Sequence, residues 1–208
     1  YQVEDALIDI NHFMNDEDWG LSQTDIQDFL PGVLDKGINP LFNDSRLTYP
    51  LFGKMNVLYY NLDWLLELGN ANPPTTPEGL LEAACSAASQ SFSGATTFGR
   101  WGIHLNISSN SFTDWSLAFG GRPFDYSSNQ FNFENDNIMD AMTFLQSLVV
   151  RGCGVIDASL STNSPFQDAQ SGFSKGALLF VIESTNKIPD FRNSIQEGAN
   201  FNWQISAL

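Results

Sequence analysis

The sequence has little of what metal and nucleotide sites are built from. It contains only two histidines and two cysteines among 208 residues, and it has no CxxC or HExxH spacing that would hold zinc. The glycine-rich patterns GxGxxG, GxxxxGKS and GxxxxGKT, which cradle phosphates, are also missing. We therefore expect no metal and no cofactor, and we assign no catalytic residue.

Basic residues are scarce as well. There are 9 Lys and Arg against 24 Asp and Glu, and the resulting net charge of -15 repels phosphate backbones and argues against a nucleic-acid partner. No apolar run approaches the roughly 20 residues that span a bilayer. The chain starts at Tyr1 without a signal peptide and stops at Leu208 directly after an apparent strand, so we expect a processed or truncated piece.

What is present is a globular composition in which strand and helix patterns alternate. Hydrophobic residues make up 42% of the chain, which argues against disorder. Apolar runs predict strands over residues 47–51, 56–61, 101–105, 177–182 and 201–205. Helical spacing predicts helices over residues 21–34, 63–68, 136–150, 166–174 and 189–195, one that starts at Thr75 or Thr76, and one that carries Trp115. This alternation predicts an α/β fold with a largely parallel sheet.

Ligands of such sheets bind where loops leave the carboxyl ends of the strands. This rule points to residues 53–55, 106–110 and 183–186. The last stretch has four consecutive polar residues after a strand with a buried pattern, so we assign it to a ligand site: Glu183, Ser184, Thr185 and Asn186. Lys54 in the first stretch is a further candidate, with a solvated surface charge as the alternative.

The middle stretch leads into a helix with several candidate side chains. Trp115 offers a flat apolar face on which a sugar ring can stack, or it belongs to the core, as large aromatics usually do. Ser109 and Asn110 can bind ligand oxygens, but small polar residues at a helix start are better explained as caps. Both alternatives stay open at this point.

The order of several short motifs resembles family 1 of the extracellular solute-binding proteins. Residues 57–63, VLYYNLD, resemble the family's "vLYYNKD" stretch, and residues 73–80, PPTTPEGL, resemble its "PPkTWeEl" helix start. Further stretches follow in the family's order, at residues 119–121, 144–152, 173–179 and 201–203. The sequence departs from the family at Pro77, where Trp is usual, and at residues 52–55, where Ser or Thr is common in a loop that often touches the ligand.

The resemblance implies both a fold and a function. The fold would be the type II periplasmic-binding-protein fold of two α/β lobes, here one nearly complete lobe and part of the other. Residues 1–56 would be the end of the first lobe and the crossover, and residues 57–208 the second lobe. The protein would be the capture subunit of an ABC importer, a monomer that binds a sugar, polyol or glycerol-phosphate-like solute and delivers it to the permease. It would work in the periplasm or outside the cell, as a lipoprotein.

Two other functions and one covalent bond stay open. Glu183 with Asp190 resembles the carboxylate pair of a glycosidase, whose separation in space a sequence does not show. The binding lobe of a sensor would look the same over this stretch. Cys85 and Cys153 both fall in the expected second lobe, where an oxidising compartment permits a disulfide, and two buried free thiols are the alternative.

Overall fold

The structure is a computed structural model that describes residues 7–39, 42–51, 53–125, 128–156 and 168–207. The chain folds as two units, Tyr1–Gly53 and Lys54–Leu208. Within the described ranges, no helix is both long and apolar enough to cross a membrane.

The first unit contains short elements that local sequence signals explain. Its helices are α1, Asn11–Met14, and α2, Gln23–Asp28, and its strands β1, Ile38–Asn39, and β2, Ser45–Arg46, pair antiparallel. Ser22 caps α2 and forms a capping box with Asp25, as the sequence predicts. The helix predicted over residues 21–34 is too long, because Pro31 disfavours the helical conformation of the residue before it.

The second unit holds the main sheet and the longer helices. Its strands are β3 (Asn56–Asn61), β4 (Trp101–Leu105), β5 (Phe124–Asp125), β6 (Gln130–Phe131), β7 (Gly154–Ile156), β8 (Leu178–Ser184) and β9 (Trp203–Ser206). Its helices are α3 (Leu62–Glu67), α4 (Pro77–Ser89), α5 (Ser109–Ala118), α6 (Asp136–Val150), α7 (Ala169–Ser174) and α8 (Ile188–Glu197). β5 and β6 form a separate hairpin, and the other strands form one 5-stranded sheet in the order β7-β4-β8-β3-β9.

Several predicted elements of this unit are confirmed in their bounds or their caps. β4 and α6 span the predicted residues 101–105 and 136–150. Thr76 caps α4 and Pro77 opens it, because proline has a helical φ and needs no N–H partner in the first turn. Of the helix predicted over residues 166–174, the part Ala169–Ser174 is helical, and Phe166 lies outside the described residues.

The α/β class is confirmed, but the prediction of a largely parallel sheet is wrong. β4 runs parallel to β7 and β8, whereas β3 runs antiparallel to both β8 and β9. A continuous apolar run indicates that a strand is covered on both faces, as in β8, but it does not indicate the direction of the neighbouring strand. The strand predicted over residues 47–51 is not formed in this described stretch, where Pro50 lacks a backbone donor.

Aromatic side chains fill the core of the second unit, and a disulfide joins one of its helices to the sheet. Trp64, Tyr59 and Phe180 are fully buried. A disulfide joins Cys85 on α4 to Cys153, the residue before β7, with their Cα atoms 4.6 Å apart. Because the carbonyl of Cys153 accepts from backbone N–H groups at the start of β4, the bond fastens α4 to the sheet.

Candidate functional site

Three loops of the second unit meet at one edge of the sheet. The carboxyl ends of the parallel strands β4 and β8 lie at this edge, where α/β folds bind ligands. Because β3 is antiparallel to β8, the amino end of β3 lies there too, and Asn56 pairs with Ser184. Residues 54–56, 106–114 and 183–186 therefore come together, and we call them the open edge.

Hydrogen bonds fix the first and the third of these loops to each other. The N–H of Thr185 donates to the carbonyl of Met55 over 2.9 Å, and the N–H of Met55 donates to Oγ1 of Thr185 over 3.4 Å. The hydroxyl of Tyr59 donates to the carbonyl of Ser184 over 2.8 Å. The turn after β8 is therefore held against the start of β3.

A small cavity at the open edge is lined mainly by polar side chains. Its volume is about 50 Å³, and Asp114 on α5 and Glu183 on β8 contribute carboxylates to its wall. Nδ2 of Asn56 donates to Oδ2 of Asp114 over 2.5 Å. Carboxylate, amide and hydroxyl groups of this kind orient a polar ligand. We call this small cavity the polar cavity. Its lining residues are Asn56, Asn106, Ser108, Ser111, Asp114, Trp115, Ile182 and Glu183.

α5 begins at the polar cavity, and its cap differs from the predicted one. Ser108 is the N-cap, and its Oγ accepts from the N–H of Ser111 over 3.2 Å. Ser109 and Asn110 lie in the first turn, are exposed and do not line the polar cavity. The capping alternative is therefore wrong for both, since each lies inside the helix, and their role in ligand binding stays a prediction.

Trp115 lies further along α5, where its indole belongs to the core. It is 4% exposed, and its ring centroid lies 5.5 Å from that of Phe144 on α6. It borders the polar cavity but offers little surface on which a sugar ring could stack. Burial therefore favours the core alternative, and the stacking role stays a prediction.

Of the predicted residues around the end of β8, Glu183 lines the polar cavity. Its Oε2 accepts from the N–H of Ser184 over 3.3 Å. The Oγ of Ser184 is buried and has no hydrogen-bond partner among the described residues. Thr185 is bound to the chain before β3, and Asn186 is exposed. Lys54 is exposed at the same edge and outside the cavity lining.

Burial keeps Tyr59 a hydrogen-bond donor at this edge. Desolvation of the phenol, and secondly the negative charge of Glu183, raise the pKa of Tyr59 to about 12. Lys187, which follows β8, donates to Asp190 over 3.0 Å, and this hydrogen bond raises the pKa of Lys187. The positive charge of Lys187 is thus compensated by Asp190 on α8.

Sequence reasoning missed several residues of the polar cavity, among them Asn56 and Asp114. Asn56 belongs to it because β3 runs antiparallel to β8, and the apolar pattern of a strand does not reveal its direction. Asp114 stands three residues after Ser111, and such spacing places two side chains next to each other on one helix face. That spacing is the signal that would have found Asp114.

The comparisons with known proteins show a likeness in fold. No family model matches the sequence, and no curated protein matches it. The sugar-binding protein MalE from Xanthomonas citri superposes with a TM-score of 0.75 at 17% identity, over 100% of this chain and 49% of that chain. The GacH receptor of Streptomyces glaucescens, solved unliganded and with acarbose, gives a TM-score of 0.73 at 18% identity, over 97% and 47%. UgpB from Mycobacterium tuberculosis, in complex with glycerophosphocholine, superposes with a TM-score of 0.72 at 16% identity, over 100% of this chain and 47% of that chain.

The chain therefore has the mixed α/β fold of the MalE-like, two-lobe periplasmic binding proteins. It spans about half the length of these structures. At 16–18% sequence identity, this likeness establishes the fold alone.

Proposed function

We propose that the chain is part of an extracytoplasmic solute-binding protein, which captures a carbohydrate and delivers it to the permease of an ABC importer. The observation that carries the proposal is the convergence of three distant parts of the chain on one polar cavity. Residues 1–56 would be the end of the first lobe and the crossover, and residues 57–208 the second lobe. Ligand contacts would then be converted into lobe closure, which the importer reads.

A neutral ligand rich in hydroxyl groups fits the polar cavity better than an anion does. Asp114 and Glu183 contribute two carboxylates to its wall. Their hydrogen-bond donors within the described chain, the amide of Asn56 and the N–H of Ser184, are neutral. Carboxylates accept hydrogen bonds from sugar hydroxyls, whereas they repel phosphate oxygens. This favours a sugar or polyol over a glycerol-phosphate-like solute.

A binding role accounts for these residues better than an enzymatic one. Asp190, the expected glycosidase partner of Glu183, forms an ion pair in its own turn and does not line the polar cavity. The GxSxG pattern of serine hydrolases occurs at residues 172–176, but Ser174 is only 5% exposed and donates to the carbonyl of Ser171. It ends α7 instead of standing on the strand-to-helix turn that exposes such a nucleophile. We therefore propose that the protein is not an enzyme.

The disulfide supports a location outside the cytoplasm. Disulfides persist in oxidising compartments and are rare in the cytosol, and one joins Cys85 to Cys153. We expect the protein in the periplasm or outside the cell, anchored as a lipoprotein, as a monomer with permease subunits as its protein partners. A sensor role for the same lobe has no observation in its favour.

The test compares two carboxylates of the second unit in the complete protein. Asp114 lines the polar cavity and binds the amide of Asn56, whereas Asp63, at the opposite edge of the sheet, binds the amide of Asn202 over 3.1 Å. A thermal-shift screen of sugars and polyols identifies a ligand, since a ligand that binds only the native state raises Tm. Asp114→Asn should then weaken binding by at least about tenfold, or about 1.4 kcal/mol. Asp63→Asn should leave affinity unchanged.

Two outcomes would contradict the proposed function. Equal affinities in Asp114→Asn and the unmodified protein would remove the polar cavity from the binding site. Steady turnover of the bound sugar, abolished by Glu183→Gln, would replace the binding role by a glycosidase.

A further inference from the structure

The hairpin of β5 and β6 has one aromatic face. Phe124 pairs with Phe131 and Asp125 pairs with Gln130, and paired residues of an antiparallel hairpin point to the same side. Phe133 lies two residues beyond Phe131 and on the same side, since the two rings are 16° from parallel with centroids 5.3 Å apart. The phenyl rings therefore share one side of the hairpin and the polar side chains the other.

Much of this aromatic face is left in solvent. Phe131 is 69% exposed and Phe133 is 52% exposed. Contiguous exposed apolar surface of this kind marks binding sites. A bound molecule is therefore the expected cover for these rings.

The aromatic face is continuous with the polar cavity. Phe133 contacts Phe112 of α5, with ring centroids 6.0 Å apart. Phe112 lines a mainly apolar groove of about 300 Å³ between α5 and α6. Ser108 and Ser111 line both this groove and the polar cavity. We call Phe112, Phe133 and Phe131 the aromatic strip, which leads away from the cavity.

The polar cavity alone is too small to enclose a ligand. Small-molecule pockets measure about 300–1,000 Å³, whereas the polar cavity measures about 50 Å³. It holds one polar end of a ligand, and the remainder must lie on the surfaces next to it. Sugar rings have apolar C–H faces beside their hydroxyl groups, and such faces stack on aromatic rings.

We propose that the aromatic strip binds the outer sugar units of a soluble, neutral oligosaccharide whose terminal unit places its hydroxyl groups at the polar cavity. This inference rests on the proposed function and narrows it from carbohydrates in general to oligosaccharides. The net charge of -15 repels an anionic glycan, so a neutral chain fits this surface better than an anionic one.

Calorimetry on the complete protein tests the strip with two series of probes, glucose to maltohexaose and glucose to cellohexaose. In the unmodified protein, affinity for one series should rise with chain length. The double variant Phe131→Ala/Phe133→Ala should bind the longest probe of that series at least about tenfold more weakly, or about 1.4 kcal/mol. It should bind the shortest effective probe as the unmodified protein does. Phe131→Trp should keep the length dependence, because an indole also stacks.

The matched control is Phe98→Ala. Phe98 is 93% exposed in the loop before β4, at the opposite edge of the sheet, so its loss should change affinity for no probe. This control separates the loss of an exposed phenyl ring in general from the loss of the aromatic strip.

Each remaining outcome overturns the inference. Affinities that do not rise with length, or a double variant with full oligosaccharide affinity, remove the strip and leave the proposed function intact. If neither series binds but the thermal-shift screen finds another solute, the inference about the aromatic strip is wrong and the proposed function stands. If the screen finds no solute at all, both the inference and the proposed function are wrong. A fall in Tm well beyond that of Phe98→Ala, or a dimer that only the double variant loses, would show that protein covers the rings.

Discussion

The two edges of the 5-stranded sheet use their polar groups differently. At the edge opposite the open edge, which we call the closed edge, Asp63 accepts from both the N–H and the side-chain amide of Asn202. Glu67 at the same edge accepts from the N–H of Ser93 over 3.1 Å. At the open edge, Asp114 and Glu183 line the polar cavity, and within the described chain each accepts from one neutral donor.

The difference separates polar groups that hold the fold from polar groups that remain available. A carboxylate has about four lone-pair sites, and internal donors use them at the closed edge to fasten one loop to another. At the open edge the two carboxylates keep sites that face a cavity. The candidate site is therefore distinguished by carboxylates with unused hydrogen-bond acceptor sites, and not by polar residues as such.

Trp115→Ala is expected to have the largest effect on stability. It tests whether Trp115, which borders the polar cavity, belongs to the hydrophobic core. Trp115 is 4% exposed and packs against Phe144, so truncation should lower the free energy of unfolding by about 3–5 kcal/mol. Urea titration measures this, and Trp115→Phe, which keeps a ring, should lose less. A variant that stays stable but binds ligand about tenfold more weakly would return Trp115 to the stacking role.

Removal of the disulfide should have the next largest effect, on the stability of the fold and not on the open edge. Cys85 and Cys153 are 68 residues apart, and replacing both by alanine should lower the free energy of unfolding by about 2–4 kcal/mol. Ligand affinity should not change, because the bond lies away from the polar cavity. Mass spectrometry checks the bond itself, since alkylation of the denatured, unreduced protein should leave both cysteines unmodified. Adducts on both would mean free thiols and contradict the structure.

Features that depend on neighbouring residues could be predicted from the sequence. The capping box of Ser22, the cap at Thr76 and the bounds of α6 all follow from residues within a few positions. The pairing of Cys85 with Cys153 stayed open, because proximity across a long stretch of chain leaves no local signal.

The candidate site likewise combines features that the sequence predicts with features that depend on distant contacts. The ends of β4 and β8 were assigned to one edge from the general behaviour of α/β sheets, and their pairing is parallel. Asn56 was missed because the apolar pattern of β3 does not reveal that this strand runs antiparallel to β8. The burial of Trp115 depends on how α5 packs against Phe144 of α6, which the spacing within α5 does not contain.

The smallest effect we expect is a loss of stability at alkaline pH that originates near the open edge. Tyr59 is fully buried, and burial, with the charge of Glu183 second, raises its pKa to about 12 from an ordinary value near 10. The folded protein therefore holds this proton more tightly than the unfolded chain does. The resulting stabilisation is complete below about pH 10 and is lost as the pH rises through about 12.

Urea titrations at about pH 9 and about pH 11 measure this loss, and Tyr59→Phe should reduce it because phenylalanine has no proton to release. Tyr60→Phe is the matched control on the same strand: burial also raises the pKa of Tyr60, but its hydroxyl donates to Oε1 of Gln204 on β9 over 2.7 Å. Both variants should lose less stability than the unmodified protein. Only Tyr59→Phe removes the hydrogen bond to the carbonyl of Ser184, so it alone should also weaken ligand binding. An equal alkaline loss in all three proteins would mean that neither tyrosine carries the effect.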